Sequence, residues 1–234
     1  MSATILLVHG AWCGEWVYWK LAPCLDARGL SWVGADLPSC RAEDSSVGPL
    51  DDVAYVRRLV DEVDGPVVVA GKSYGGIVIS GATAGCPAVE HLVYIAAMMP
   101  EPGELFQQTT AGARTPEFAA GARPLPDGRV AMDPEVGAEC AFWQATDEDR
   151  DVWRRHCAPM SFGRDRSVSF ERVGWTDIPS TYVVCAQDRA IKPDAQRSWA
   201  KRATDVIERP WDHSPAVSHP EDVADLLDSL ARSS

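Results

Sequence analysis

The chain has 234 residues, enough for one α/β domain with a sizeable core, and at 46% hydrophobic and 24% charged it is ordinary globular material. Its formal charge of −12 leaves no basic stripe to release phosphate counterions, which excludes nucleic acid as a partner. No apolar run reaches the length of a membrane span, so no membrane association is expected.

Apolar runs alternate with helical patterns along the chain, the mark of a parallel sheet wound with helices. A strand is predicted over 4–9, followed by His9-Gly10-Ala11-Trp12, and a helix over 15–28. Then come a strand over 31–36, a helix over 51–63, a strand over 66–71, a helix over 75–85 and a strand over 91–96. These strands are apolar on both faces, as a sheet covered by helices requires. The alternation breaks after Met98-Met99-Pro100. Residues 101–177 read as a cap inserted after the fourth strand, and 1–100 with 178–234 as the core of a single domain. Within the cap, Pro126-Asp127-Gly128 and Val130-Ala131-Met132 suggest a hairpin, 108–124 reads as a mobile loop, and helical patterns return near 134–146 and 147–157. The core resumes with a strand over 180–186, a helix over 193–202, a strand over 204–208 and a helix over 220–232. There are no internal repeats. The strand pattern starts too early to leave room for a signal peptide, so a cytoplasmic location is expected. The seven cysteines are scattered with no CxxC pair, which points to buried thiols in a reducing compartment rather than disulfides or zinc. Cys13 stands beside the loop after the first strand and is a candidate for substrate contact.

The most informative segment is Gly71-Lys72-Ser73-Tyr74-Gly75. It follows the apolar run Pro66-Val67-Val68-Val69-Ala70 and opens the helix that begins Gly76-Ile77-Val78-Ile79. A serine on so tight a strand-to-helix turn has its hydroxyl thrust out above the sheet edge, with glycines where backbones approach closely. Ser73 is therefore the expected nucleophile. An acid and a histidine should follow in the order Ser, Asp, His. Among the five histidines, His213 lies in the loop Pro210-Trp211-Asp212-His213-Ser214-Pro215 after the last strand, where the base belongs, with His219 as its rival. Asp188 follows the strand Thr181-Tyr182-Val183-Val184-Cys185-Ala186 and is the expected acid, with Asp177 and Asp212 as competitors. A neutral imidazole takes the serine proton during attack, and a carboxylate on its other nitrogen fixes the tautomer. The oxyanion needs backbone donors, expected from Tyr74 and Ala11. His9 is expected to brace this loop, and Lys72 to point away from the reacting carbonyl.

Beyond these residues, the opening Leu6-Leu7-Val8-His9-Gly10-Ala11-Trp12, Trp19-Lys20-Leu21-Ala22-Pro23, Ala35-Asp36-Leu37-Pro38, Gln187-Asp188, Pro193-Asp194-Ala195-Gln196-Arg197 and Asp212-His213-Ser214-Pro215 resemble the plant methylesterase and hydroxynitrile lyase family and its bacterial esterase relatives. The resemblance covers nearly the whole chain and is weak between about 101 and 177. It implies an α/β-hydrolase core with a small cap, an apolar pocket, cofactor-free chemistry on esters or cyanohydrins, and the catalytic and oxyanion roles already named. In the lyase branch a threonine follows the first-loop histidine and a lysine follows the catalytic histidine; here these are Gly10 and Ser214. The esterase branch has glycine at the first place and generally an apolar residue at the second, so the resemblance favours an esterase with an unusual Ser214.

The cap is expected to set the substrate. Phe106, Phe142, Trp143, Trp153, Phe162, Phe170 and Trp175 lie in or near it, and Trp12 flanks the oxyanion loop. Phe142 and Trp143, with Trp12, are the expected pocket walls, which suggests a small to medium hydrophobic ester or lactone. Arginine far outnumbers lysine, as in GC-rich bacterial genes. The reading is thus a cofactor-independent serine carboxylesterase with no metal. A tailoring cyclase, acyltransferase or lyase on the same triad, or a non-catalytic ligand receptor, are the alternatives.

Overall fold

The computed structural model describes residues 2–164 and 167–233. In chain order the core begins β1 (Thr4–Val8), α1 (Leu21–Ala27), β2 (Trp32–Gly34), α2 (Pro49–Glu62), β3 (Val67–Lys72), α3 (Gly75–Ala82) and β4 (Val89–Ile95). Next come α4 (Phe106–Thr110), α5 (Pro116–Ala120), β5 (Ala122–Pro124), β6 (Val130–Met132), α6 (Pro134–Ala141) and α7 (Asp147–His156). The chain then rejoins the core with β7 (Ser180–Cys185), α8 (Pro193–Ala200), β8 (Asp205–Arg209), α9 (Pro215–Ser218) and α10 (Pro220–Ser233). Six strands form one parallel sheet in the order β2-β1-β3-β4-β7-β8, and β5 pairs with β6 as a separate antiparallel hairpin. The strand pattern predicts such a parallel sheet wound with helices, and the arrangement is the α/β-hydrolase fold that the resemblance implies.

The local chemistry accounts for these elements. β3 and β7 are buried at nearly every position, so both faces of the sheet are covered. Val67, Val68 and Val69 suit such a strand because branched side chains pack on the pleat. α1 packs against α10 and α2 against α3. α2 opens with Pro49 and has Asp51 and Asp52 in its first turn, where a fixed φ and negative charge both favour a helix start. α7 is closed at its start by Thr146 and Asp149, each accepting from the other's backbone, and ends in Arg154, Arg155 and His156, which oppose the dipole.

Two regions depart from expectation. The predicted helix over 15–28 is split into a 3₁₀ turn at Glu15–Tyr18 and α1. Pro23 cannot donate to Trp19 and its ring would crowd that carbonyl, so no continuous helix can cross this point. The stretch 108–124 is no loop: it holds the end of α4, all of α5 and β5. Helices of five residues are too short to print a period, but Thr115 accepts from the Phe118 amide and starts α5.

The strand order positions the site. β1 runs to β2 on one side, while β3 lies on its other side, so loops leaving β1 and β3 diverge above a crevice at the sheet's carboxyl edge. Val8 is in register with Gly71, which sets His9-Gly10 beside Lys72-Ser73. At the other edge, Ala186 donates to Arg209 and Gln187 to Trp211, carrying the β7–β8 ladder onward to Asp188 and His213. The cap is pinned to the core by Trp12 Nε1 donating to Val130 (2.9 Å), Lys20 pairing with Asp149 (2.8 Å) and Ser161 donating to Ser39 (2.9 Å).

α3 starts hard against β1. A Cβ on Gly75 would lie 2.4 Å from the Val8 carbonyl oxygen and 2.8 Å from that of His9. Gly75→Ala should therefore lower the unfolding free energy by about 2 kcal/mol or more, since overpacking against fixed backbone is relieved only by moving the helix. Urea denaturation with an unchanged midpoint would show that α3 is free to retreat.

Candidate active site

Ser73 directly follows β3 and lies in the left-handed region, with φ 56°. Few non-glycine residues adopt this conformation, and here the neighbours hold it. The Ser73 amide donates to Ile95 (3.2 Å), and its carbonyl accepts from Gly76 (3.1 Å) and Met98 (3.1 Å). Ser73 is buried. Gly10 lies close opposite it: a Cβ there would be 3.0 Å from the Ser73 Cβ.

His213 is buried, and its Nδ1 lies 2.6 Å from Asp188 Oδ2. A carboxylate only accepts, so Nδ1 carries the proton and Nε2 is left as the basic nitrogen. Asp188 is itself fixed: Oδ1 accepts from the Ala190 (2.7 Å) and Ile191 (2.9 Å) amides, and Oδ2 also from Gln196 Nε2 (2.7 Å). Burial pushes the His213 imidazole below its ordinary value of 6.5; the Asp188 carboxylate opposes this and the nearby Lys72 charge adds to it. The ring is accordingly neutral at pH 7, the form that accepts a proton.

Ser73 lies at the junction of two small cavities. The first is lined by Ala11, Trp12, Ser73, Tyr74, Phe118 and Arg114 among others. The second has Ala11, Trp12, Ser73 and Phe118 in common with it and adds Lys72, Phe142 and His213. The Ala11 and Tyr74 amides donate to no loop or turn carbonyl among the described residues, so both are available to an oxyanion at the junction. Tyr74 is anchored from below by its hydroxyl, which donates to the buried Asp52 (2.7 Å). Trp12, at φ 61°, turns its indole into the cavity, edge-on to Phe118 and Phe162.

The rival residues have other work. Asp177 is exposed and pairs with Arg172. Asp212 is buried and accepts from the Ser214 amide (3.0 Å), Ser218 Oγ (2.7 Å) and the Gln144 amide (3.1 Å), tying the base loop to the cap. His219 bonds Gln144 Oε1 (2.8 Å) and stacks on Trp211. His9 accepts from the Leu37 amide at Nε2 (3.1 Å) and donates from Nδ1 to Gly10 (2.8 Å); burial holds it down at about 4, so it is neutral. Cys13 lines the second cavity as a neutral thiol, pushed up to about 11 by burial.

Two placements differ from the sequence reading. Trp143 does not wall the cavity: its Nε1 donates to Gln187 (2.8 Å) and Arg189 lies 3.7 Å over its ring, outside the site. α6 ends at Ala141, so Phe142 and Trp143 diverge; Phe142 turns inward, against the Trp153 ring at 5.0 Å, while Trp143 turns out. Lys72 does not turn away from the site: it lines the second cavity, with Nζ 5.8 Å from the Phe142 ring centroid. Trp153 also lines the second cavity, and Phe106, Phe162 and Met98 the first, whereas Phe170 packs at Gly81 and Trp175 bonds the Pro100 carbonyl. Phe118 and Arg114 carry no signal in the sequence, since both fall in the stretch read as a loop. Among the described residues no cluster of His, Cys, Asp or Glu could hold a metal, and no helix is long and apolar enough to cross a membrane.

The Alpha/beta hydrolase family model matches residues 5–226. Methylesterase 8 of Arabidopsis thaliana is 27% identical, over 99% of this chain and 90% of its own length. Methylesterase 7 of the same plant is 25% identical over 97% and 95%. Among solved structures, a pyrethroid hydrolase from Sphingobium faniae JZ-2 superposes with a TM-score of 0.83 at 23% identity, covering 99% of this chain and 98% of that one.

The Lys72 charge is one of the influences that hold the His213 proton affinity down. Lys72→Met should therefore move the acid limb of kcat/KM to higher pH, from a wild-type position below 6.5. A limb that stays in place would mean that the ammonium does not reach the imidazole.

Proposed function

Since the chain belongs to the Alpha/beta hydrolase family, we propose that it is a cofactor-free serine esterase that cleaves a small to medium carboxylic ester, with aromatic walls around the reacting carbonyl, through an acyl-enzyme. The observation that carries this reading is the Asp188–His213 pair at 2.6 Å, with its imidazole in the same cavity as the left-handed Ser73. The methylesterase names of its relatives agree with it.

In this reading Ser73 Oγ attacks the carbonyl carbon while His213 Nε2 takes its proton. The tetrahedral oxyanion rests on the Ala11 and Tyr74 amides. On collapse the bond to the alcohol breaks, and the imidazolium gives its proton to the departing oxygen. Water then attacks the acyl-enzyme with His213 again as base, which releases the acid and restores Ser73. His213 lines only the second of the two cavities, so the alcohol leaves through that one and the acyl chain occupies the first. Lys72, at the wall of the second, favours the developing alkoxide.

A second reading, cyanohydrin cleavage, rests on that same ammonium, which would stabilise departing cyanide. It lacks both residues of the lyase pattern, since Gly10 and Ser214 stand where that pattern has threonine and lysine. Cyanide release from mandelonitrile above background, lost in Lys72→Met, would favour it over the esterase.

For the esterase, Ser73→Ala should fold normally and lose on the order of 10⁴-fold in turnover of 4-nitrophenyl butyrate. A serine-directed phosphonate should label Ser73 alone. Near-wild-type turnover in the alanine variant would remove the mechanism.

A further inference from the structure

Arg114 takes no part in the chemistry above, yet it lines the first cavity beside Ser73. Its segment joins α4 to α5 and is spliced to the chain just beyond Asp188. Lys192 donates to the Ala113 carbonyl (2.9 Å), Thr115 donates to that of Ala190 (3.0 Å), and Arg114 bridges Ile191. Its backbone is thus fixed by the same loop that holds the catalytic acid. The side chain is half-buried, and its guanidinium carbon lies 5.5 Å from the Trp12 ring centroid. That indole is itself held by its bond to Val130.

The chain carries 34 carboxylates, but among the described residues none pairs with Arg114. A guanidinium stays charged under partial burial, and an aromatic face satisfies none of its five N–H donors. A half-buried charge without a counter-ion is partly desolvated, and an arriving anion offsets that cost. The remaining first-cavity residues named above are apolar or aromatic, apart from Ser73 at the junction. A ligand filling this cavity therefore has an apolar middle and meets one cation.

Resting on the serine-esterase reading, we infer that Arg114 is a specificity-determining residue that receives an anionic group on the acyl chain. The substrate class is then a half-ester of a dicarboxylic acid. The free carboxylate pairs with Arg114, the hydrocarbon spans the aromatic walls, and the neutral alcohol leaves past His213. Planar guanidinium and carboxylate can pair through two parallel hydrogen bonds, which fixes the distance between the anion and the scissile carbonyl.

The test compares 4-nitrophenyl hydrogen adipate with methyl 4-nitrophenyl adipate. They share leaving group and chain and differ in whether the far end is charged. Wild-type kcat/KM should favour the acid by at least about tenfold, and Arg114→Gln should lower that ratio by a similar factor, as expected for losing hydrogen bonds to a charged group. Arg114→Lys should fall between, because an ammonium keeps the charge but not the paired geometry. A wild-type ratio of one or less, or the same ratio in Arg114→Gln, would overturn the inference. N-methyladipamic acid, whose amide resists cleavage, gives a second measurement by calorimetry on the intact protein. If neither ester is turned over, the esterase reading fails, and this titration still decides the role of Arg114. Binding weakened at least about tenfold in both Arg114 variants supports it; equal affinity, or no wild-type binding at millimolar concentration, overturns it.

Discussion

The site depends on one backbone conformation, the left-handed Ser73 directly after β3. Strain of this kind costs about 1–3 kcal/mol and persists only where surrounding structure over-determines it. Here β4 does so, through Ile95 accepting from the Ser73 amide and Met98 donating to its carbonyl. Ala96, between them, is itself at φ 46°. The strained turn lets α3 begin within contact of β1, and this in turn confines residue 75 to glycine. The register of β1 against β3 then delivers the Ala11 loop to the same point. The proposed nucleophile and oxyanion donors are therefore placed by sheet geometry.

Electrostatics around this centre are set by burial. His9 is held neutral, Cys13 protonated, and Asp52, beneath Tyr74, is raised to about 6 by loss of water, with hydrogen bonds opposing. The two cations that reach the cavities, Lys72 and Arg114, stand out in a chain with a formal charge of −12. The segment after α6 is coupled to the loop that carries His213 through Gln144. Its side chain accepts from Asp212 and donates to Gln187 and Pro210, while its amide donates to the Asp212 carboxylate. A displacement of the cap at this point would pull on the loop that carries His213.

Much of this was legible in the sequence where a local rule applies. The glycine-flanked serine after Val67-Val68-Val69-Ala70 announced a strand–turn–helix, and the six core strands lie within a few residues of their predicted places. Asp188 and His213 could be named because each follows a strand in the required order, and the structure brings them into hydrogen-bond contact. The cap was far less legible. α4 and α5 are too short to show a period, so Phe118 and Arg114, which reach the cavity from that stretch, had no marker. Phe142 and Trp143 are adjacent, and the end of α6 between Ala141 and Phe142 decides which faces inward. The direction of Lys72 is not legible in the sequence, because it is the last residue of β3 before the left-handed turn at Ser73, and its side chain lines the second cavity.

The central claim is that Ser73 is acylated during turnover. Acid quench of the enzyme with 4-nitrophenyl butyrate during the pre-steady state, followed by peptide mass spectrometry, tests it directly. The account predicts a butyryl adduct on the Ser73 peptide, accompanied by a burst of nitrophenolate approaching one per chain. An adduct on another residue, or brisk turnover with no adduct and no burst in a Ser73→Ala variant that retains activity, would contradict it.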